Sequence, residues 1–572
     1  MNTFWDLPDE IIHYTLTVLP ARDIVTCATT CKRLNNLLKG SSHLKLIVEL
    51  AVHGLRLRYL DVNESDANGG TALQRLEALG RSQASWRSLK PPKTEFIPMD
   101  RVEYEIGAGL FGHAIPHAPG GFRGLQFHAL SVDTNAEECR IWRTYNDVGI
   151  NVLDFSFDTN LDLLVLVEFP HDDEDFFKRV FLRTLSGNAS HPAANNAVLV
   201  APGEEAWDEC EIKIAGYYLA IMFYDNNTLN ANIGRLCLWN WQTGELLYTC
   251  SSIGGYAFLS IDAILLFVAK QQEDPEEQVY AEIELLTIGS AKPRIRLSLP
   301  YKSPPRRVVV LSDRPIIEAS VIPNDLNLGP YVLDESAERV ILIQLFGHNH
   351  QLFIACRPLI RLLKEAEANI TPPTDDPSAA VTDQRLYEWS EWGPNSTFLM
   401  AAWNVWTSLR PMSGSKFCAM SDSKRLFDTM TFNPENENEA TLEELGGGVI
   451  RSTYRGYSDT SDEYHLIVLD FNPRPIIRAA DLLRESMDKD DGDEEGGGAA
   501  DEWSDTTPPR LRWETNSEHF TEPIICRLPF RVFQKKVTSQ YEKVMLGVDH
   551  IIGMTAEESP SGCCYDVLTF RY

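Results

Sequence analysis

The sequence predicts a mainly β protein that carries a small all-α module at its N-terminal end. Apolar residues recur at helical spacing from Leu7 to Leu89. Beyond Pro91 and Pro92 they recur with a period of two, in short runs rich in β-branched and aromatic residues. These runs return about every fifty residues, which is the sequence pattern of repeated small sheets.

Composition excludes several classes of protein. The 572 residues include 52 Lys and Arg against 82 Asp and Glu, so the formal net charge is −30. Such a chain repels phosphate, and we therefore expect neither nucleic acid nor membrane as a partner. No apolar run reaches the ~18 residues of a membrane helix. The acidic start lacks the order of a signal peptide, and the 11 scattered cysteines favour reduced thiols. We expect a cytoplasmic and/or nuclear protein.

The first forty residues predict three short helices. Asp9 and Glu10 suit the positive end of a helix dipole, and Pro20 ends that first segment. Helices this short need a packing partner, inside the chain or outside it. The apolar stripe of the first helix consists of Leu7, Ile11, Ile12, Leu16 and Leu19.

These residues resemble the F-box. The similarity rests on Leu7-Pro8-x-Glu10-Ile11-Ile12, then Leu16, Leu19, Asp23-Ile24 and Cys31-Lys32-x-Leu34. It covers residues 5–40, and we assign residues 1–41 to this module; Leu34 stands where many F-boxes have Trp. The resemblance implies docking onto a Skp-type adaptor and, through it, a cullin. The adaptor-binding residues that it implies are Leu7, Pro8, Glu10, Ile11, Ile12, Leu16, Leu19, Asp23, Ile24, Cys31, Lys32 and Leu34. A three-helix bundle that buries the same leucines internally is the alternative.

Residues 42–92 predict a helical linker. An amphipathic pattern over residues 71–90 places Leu76, Leu79 and Trp86 between charged side chains, and Pro91 ends it. We expect this segment to hold the N-terminal module rigidly against the following domain, or simply to cap that domain.

Residues 93–572 predict a β-propeller. Apolar strands centre near Val165, Ala220 and Leu266, and four-stranded units at this rhythm are typical of propeller blades. About 480 residues at ~60–70 per blade predict seven or eight blades. Residues 236–244 resemble the third strand and turn of a WD-type blade, in which Trp239 would pack between sheets. Two stacked β-sandwiches are the alternative fold.

The end of the chain, residues 566–571, reads as a strand. We expect it to pair with the first β residues, because this would remove an open sheet edge.

Acidic, low-complexity stretches interrupt the β region. We assign them to disordered insertions, because their composition cannot bury enough apolar area to offset the ordering entropy. They lie at about residues 364–385, 433–448 and 486–508.

No catalytic constellation is evident. Gly107, Gly109 and Gly112 fit the glycine spacing of a dinucleotide site, but the following Pro116 and Pro119 forbid the required helix. His348 and His350 lack further ligands at metal spacing. We therefore expect no enzyme activity, no metal and no cofactor.

The functional hypothesis is a substrate-recognition subunit of a Skp–cullin–F-box ubiquitin ligase, whose propeller binds an unknown protein substrate. Two rival hypotheses are a ligase-independent F-box scaffold and a propeller enzyme with its site in the central channel.

Overall fold

The computed structural model describes most of the helical and β regions. The described residues are 7–57, 71–98, 103–107, 109–115, 121–130, 139–169, 178–203, 207–224, 234–270, 280–290, 295–302, 305, 307–315, 331–335, 337–346, 350–368, 385–401, 405–406, 410–421, 464–478, 512–513, 520–521, 524–537, 541–555 and 564–570.

Helices come first and strands follow. The described helices are α1 (Asp9–Thr17), α2 (Ala21–Thr30), α3 (Lys32–Gly40), α4 (Ser42–Val52), α5 (Ala72–Ser88), α6 (Cys356–Ala368) and α7 (Trp389–Ser396). The described strands are β1 (Leu55–Leu57), β2 (Lys93–Pro98), β3 (Tyr104–Gly107), β4 (Leu110–Ile115), β5 (Gly124–Ala129), β6 (Arg140–Tyr145), β7 (Val152–Asp158), β8 (Leu163–Glu168), β9 (Arg179–Thr184), β10 (Val198–Val200), β11 (Glu209–Ala215), β12 (Tyr218–Tyr224), β13 (Gly234–Asn240), β14 (Glu245–Ser260), β15 (Ala263–Lys270), β16 (Tyr280–Thr287), β17 (Ile295–Ser298), β18 (Arg307–Ser312), β19 (Tyr331–Leu333), β20 (Val340–Phe346), β21 (His350–Ala355), β22 (Arg385–Tyr387), β23 (Thr397–Ala401), β24 (Val405–Trp406), β25 (Met412–Ser413), β26 (Lys416–Ser421), β27 (Tyr464–Asp470), β28 (Arg512–Trp513), β29 (Ile524–Ile525), β30 (Arg531–Val537), β31 (Tyr541–Leu546), β32 (His550–Thr555) and β33 (Cys564–Thr569).

The helical module, defined here as α1–α5 with β1, has its own small core. Pro8 and Pro20 precede α1 and α2, where their fixed φ suits a helix start. The Ser41 hydroxyl caps α4 by accepting a hydrogen bond from the Leu44 amide at 3.2 Å. The residues that meet at the centre of α1–α4 are Ile12, Leu16, Ile24, Leu34 and Leu44. No described helix combines the length and the apolar character that a membrane span requires.

A mainly β, propeller-like region follows the helical module. Four sheets have four strands each, in the orders β3-β4-β5-β6, β7-β8-β9-β10, β18-β20-β21-β23 and β31-β32-β33-β2. A fifth has the order β24-β26-β27-β30, with β25 also paired to β26. The first strands of neighbouring sheets lie beside one another, as β3 does with β7 and β7 does with β11. The repeat that the sequence predicts is present. Val165, Ala220 and Leu266 lie in β8, β12 and β15, and each of these is the second strand of a four-stranded unit, if the last part of β14 is counted as the first strand of the third unit.

The prediction of seven or eight separate blades is wrong. Five sheets have the size of a separate blade, whereas β11 to β17, followed by β22, form one continuous eight-stranded sheet. The reason is the 16-residue strand β14. Its first part pairs with β13 and its last part pairs with β15, so one unbroken strand joins four-stranded halves that would otherwise be two blades.

One predicted insertion is also partly ordered. Residues 364–368 continue α6 and Arg385 begins β22, so the disorder predicted for residues 364–385 is wrong at both ends. Helix α6 is held by an apolar face that includes Leu359 and Leu363, both buried in the largest core. The remainder of that insertion, and those at residues 433–448 and 486–508, lie outside the described residues.

Closure of the β region is confirmed. Strand β33 pairs antiparallel with β2 from Lys93–Thr569 to Pro98–Cys564, while β33 also pairs with β32. The last described strand therefore lies between the first strand of the β region and its own hairpin partner. One sheet thus contains both ends of the β region.

The helical module is fastened to the same sheet. The Trp86 ring of α5 stacks on Phe570 with centroids 4.2 Å apart, and the Ser82 hydroxyl donates to the Phe570 carbonyl at 2.6 Å. Strand β1 pairs with β19, and the Asn472 amide donates to the Val52 carbonyl at 2.9 Å. Four separate contacts thus fix the orientation of the module.

A small polar cavity of about 30 Å³ remains at this junction, room for water but not for a larger ligand. His53, Trp86, Lys416 and Asp470 are among the residues that line it. Burial, together with the nearby cations Lys416 and Arg531, lowers the pKa of His53 to about 3. His53 is therefore neutral here.

Buried ion pairs cross the middle of the β region. Glu105 on β3, 2% exposed, pairs with Arg314 at 3.2 Å and with Arg410. Arg314 follows β18 and Arg410 precedes β25, so one carboxylate connects the sheet containing β3 to two sheets far along the chain. Arg314 also donates to the Ser156 hydroxyl of β7 at 2.9 Å.

Replacing Glu105 by Gln should destabilise the β region by about 3–5 kcal/mol, because two partly buried guanidinium groups lose the buried carboxylate that neutralises them. Chemical denaturation of the full chain measures this. The control is Glu365→Gln, which removes an exposed pair with Arg361 at 4.0 Å and should change stability by less than ~0.5 kcal/mol. Equal effects of the two changes would show that the central pairs do not hold the sheets.

Deleting residues 564–572 should lower the melting temperature by at least about 10 °C, because β2 and β32 both lose their partner. Thermal unfolding followed by circular dichroism measures the change. Deletion of residues 571–572 alone is the control and should leave the melting temperature unchanged. An unaltered melting temperature after the longer deletion would contradict the closure.

Candidate functional site

The first helix, α1, presents two apolar faces. One face points inward, where Ile12 is 0% and Leu16 is 3% exposed. The other points outward: Ile11 and Tyr14 lie three residues apart on one side of α1, and Leu7 just before the helix and Val18 at its C-cap extend the exposed apolar surface. This exposed α1 stripe consists of Leu7 at 37%, Ile11 at 50%, Tyr14 at 63% and Val18 at 69% exposure.

The exposed α1 stripe is held in a defined orientation. The Arg33 guanidinium of α3 pairs with the Asp9 carboxylate at 2.6 Å and donates to the Leu7 carbonyl at 2.8 Å. Because both partners of this pair are partly exposed, the pair adds little stability, but it fixes where α1 begins. The buried Ile12 and Leu16 fix the rotation of the helix about its own axis.

The residues predicted to bind an adaptor fall into three groups. Ile12, Leu16, Ile24 and Leu34 are buried in the core of the helical module, where no partner can touch them without opening the module. Leu19 and Cys31 are partly buried. Those exposed at the surface are Leu7, Pro8, Glu10, Ile11, Asp23 and Lys32.

Sequence reasoning missed three exposed apolar residues: Tyr14 and Val18 on α1, and Val25 on α2. The signal was present in the spacing of Leu7, Ile11, Tyr14 and Val18. It was hidden because Ile12, Leu16 and Leu19 make an equally regular stripe on the same helix. Only packing shows which of the two stripes the chain covers.

The other sites considered from the sequence have structural roles. Gly107 and Gly112 lie on the antiparallel hairpin β3–β4, so no helix N-terminus faces a cofactor there. His350 is buried, where Phe520 stacks on its ring, while His348 lies outside the described residues. In the described part of the chain, no three metal-ligating side chains are placed to hold an ion.

The WD-type turn at residues 236–244 is formed as expected. Trp239 is buried between neighbouring sheets, and the Asn240 carboxamide accepts hydrogen bonds from the Gln242 and Thr243 amides. Gly244 has φ +78°, the left-handed conformation that favours glycine at this turn.

The N-terminal residues match a known family model, that of the F-box-like domain, over residues 4–44. Residues 4–44 are an F-box-like domain. The structure describes residues 7–44 of this match, which comprise α1–α3 and the first turn of α4. The exposed α1 stripe is therefore part of the F-box-like domain.

Solved structures with resemblance to the chain include propellers. The WD40 domain of SCAP from fission yeast is 7% identical, covers 84% of this chain and 98% of that chain, and has a TM-score of 0.32. The β-propeller domain of the Trilobed protease from Pyrococcus furiosus is 7% identical, covers 46% and 79%, and has a TM-score of 0.25. Similarity at this level carries no argument about function. No curated protein matches the sequence.

Substitutions on the two faces of α1 should have very different effects on the stability of the helical module. Leu16→Ala should destabilise the helical module by ~2–5 kcal/mol, because it opens a cavity in the core. The exposed Val18→Ala should change stability by less than ~0.5 kcal/mol. Chemical denaturation of the full chain, monitored by hydrogen exchange of residues 9–50, measures the change in stability of each variant. Equal losses would show that Val18 is covered by this chain.

Proposed function

We propose that this chain is a non-catalytic substrate-recognition subunit of a Skp–cullin–F-box ubiquitin ligase. The observation that carries the proposal is the exposed α1 stripe within the F-box-like domain. Such a ligase is the usual context of this domain. We assign no covalent step to this chain.

The stripe supports docking because it is apolar, continuous and oriented. Burying apolar surface contributes ~25 cal/mol per Å², so four such side chains on and beside one helix supply a substantial part of a protein–protein interface. Asp23 and Lys32 are exposed on α2 and α3 of the same module, where charges would fix the orientation of the bound adaptor.

The attachment of the helical module to the β region supports the proposed role of the propeller-like region, which is to hold the target protein. Trp86 and Ser82 of α5 contact Phe570, so the helical module, which includes the F-box-like domain, is joined to the sheet β31-β32-β33-β2. A target held by the propeller-like region would then lie at a fixed distance from the adaptor. This arrangement raises the effective concentration of a target lysine near the ligase's charged conjugating enzyme.

Loss of the stripe should abolish capture of the adaptor. The double variant Ile11→Asp with Val18→Asp puts two charges on the docking face without touching the core, so we expect it to lose a Skp-type adaptor and cullin on affinity purification. Mass spectrometry with the proteasome blocked measures both proteins together with the target. The matched control is Leu73→Asp on α5, 52% exposed and outside the stripe.

The outcomes separate the alternatives. An adaptor retained by the double variant would contradict the docking assignment. An adaptor without cullin in the unmodified protein would favour a ligase-independent scaffold. Adaptor and cullin together, with a target that accumulates only when the proteasome is blocked, would support the receptor role.

A further inference from the structure

The closing seam holds a buried pair of histidines. We use this name for the contact between the sheet β3-β4-β5-β6 and the sheet β31-β32-β33-β2. Its apolar core includes Ile97, Phe111, Met545, Ile552, Tyr565 and Val567. Within this core lie His113 on β4 and His128 on β5, exposed by only 6% and 3%.

The geometry determines the protonation of both rings. The His113 Nδ1 lies 3.0 Å from the Ala114 carbonyl oxygen, which can only accept, so His113 carries its proton on Nδ1. Its Nε2 lies 3.2 Å from the Nε2 of His128, and the rings stack with centroids 5.3 Å apart. With both rings neutral, this contact is a hydrogen bond when His128 donates from Nε2. Burial lowers the pKa of both imidazoles and so favours the neutral forms, and protonating His113 in this arrangement would bring two N–H groups face to face.

The surroundings provide no compensation for a positive charge. Lys93 and Glu95 of β2 pair with each other at 2.8 Å, and burial, with a smaller contribution from Glu95, raises the pKa of the Cys139 thiol. Among the described residues, no carboxylate pairs with either imidazole. The other polar or titratable groups that the neighbouring elements contribute are Tyr104 on β3, Gln126 on β5, Cys139 before β6 and Tyr565 on β33.

We propose that the His113–His128 pair is a proton-sensitive latch of the closing seam. Neutral, the two rings share one hydrogen bond within the sheet β3-β4-β5-β6 and leave the closing seam intact. When both rings are protonated, their positive charges repel each other beside an apolar core, and the contact between the two sheets opens.

The direction of the pH dependence follows from linkage. Burial lowers the pKa of His113, and burial together with the neighbouring His113 ring lowers that of His128 from 6.5 to about 4. The opened seam therefore binds more protons than the closed seam below about pH 6.5. Stability of the seam is fully present above that value and is lost as the pH falls toward about 4. With two sites, the opening equilibrium changes by up to about a hundred-fold per pH unit.

Hydrogen–deuterium exchange of the full chain tests this proposal. Between about pH 6.5 and about pH 5.5, protection factors corrected for intrinsic exchange should fall at least tenfold in β4, β5 and β33. The protection factors in β8 and β12 should stay unchanged. In the double variant His113→Gln with His128→Gln the fall should disappear, because Gln can donate and accept without titrating near these values. The matched control is His191→Gln, a buried histidine away from the closing seam, which should keep the fall.

A second measurement uses the unmodified protein, so it does not require that the variant folds. Exchange of the imidazole C2 hydrogen in the unmodified protein reports the pKa of each histidine. Midpoints of His113 and His128 well below 6.5 would support the latch. Ordinary midpoints for both, or acid loss of protection in all sheets at once, would overturn it.

Discussion

Antiparallel pairing of β2 with β33 is the constraint on which the rest of the structure depends. It joins the two ends of the β region in one sheet, in which β33 has a partner strand on each side, β2 and β32. The residue that follows β33, Phe570, packs against α5, so the position of the helical module follows from the same pairing. The pairing that closes the β region therefore also determines the orientation of the helical module.

Buried charges decide which sheets become neighbours. Lys213 on β11 donates to the Tyr256 carbonyl of β14 at 2.6 Å and to the Val310 carbonyl of β18 at 3.3 Å, and it pairs with Glu211 at 2.9 Å. Burial lowers the pKa of Lys213, and Glu211 opposes that shift. Such groups are costly unless every bond is made, so they penalise any other arrangement of the first strands.

Helix α1 shows how one short segment serves both folding and recognition. Its nine residues are too few to be stable alone, so Ile12 and Leu16 must be buried against the neighbouring helices. The opposite side of the same helix then projects Ile11, Tyr14 and Val18 outward on a fixed frame. The division between the two faces supports the proposed docking role, because the partner needs only the face that the fold leaves free.

Local patterns in the sequence determined the order of the elements. Helical spacing before Pro91, alternation after it, and the strand-like end of the chain needed only short-range chemistry, and the structure contains helices, strands and, up to Thr569, the strand β33 at these places. The sequence also determined the F-box-like spacing. Tertiary structure alone decided which α1 stripe is covered, since two stripes on one helix are equivalent until neighbours pack. It also decided that β14 runs unbroken through two four-stranded halves, and that His113 and His128 meet. These outcomes depend on contacts between distant strands, which no local pattern of residues records.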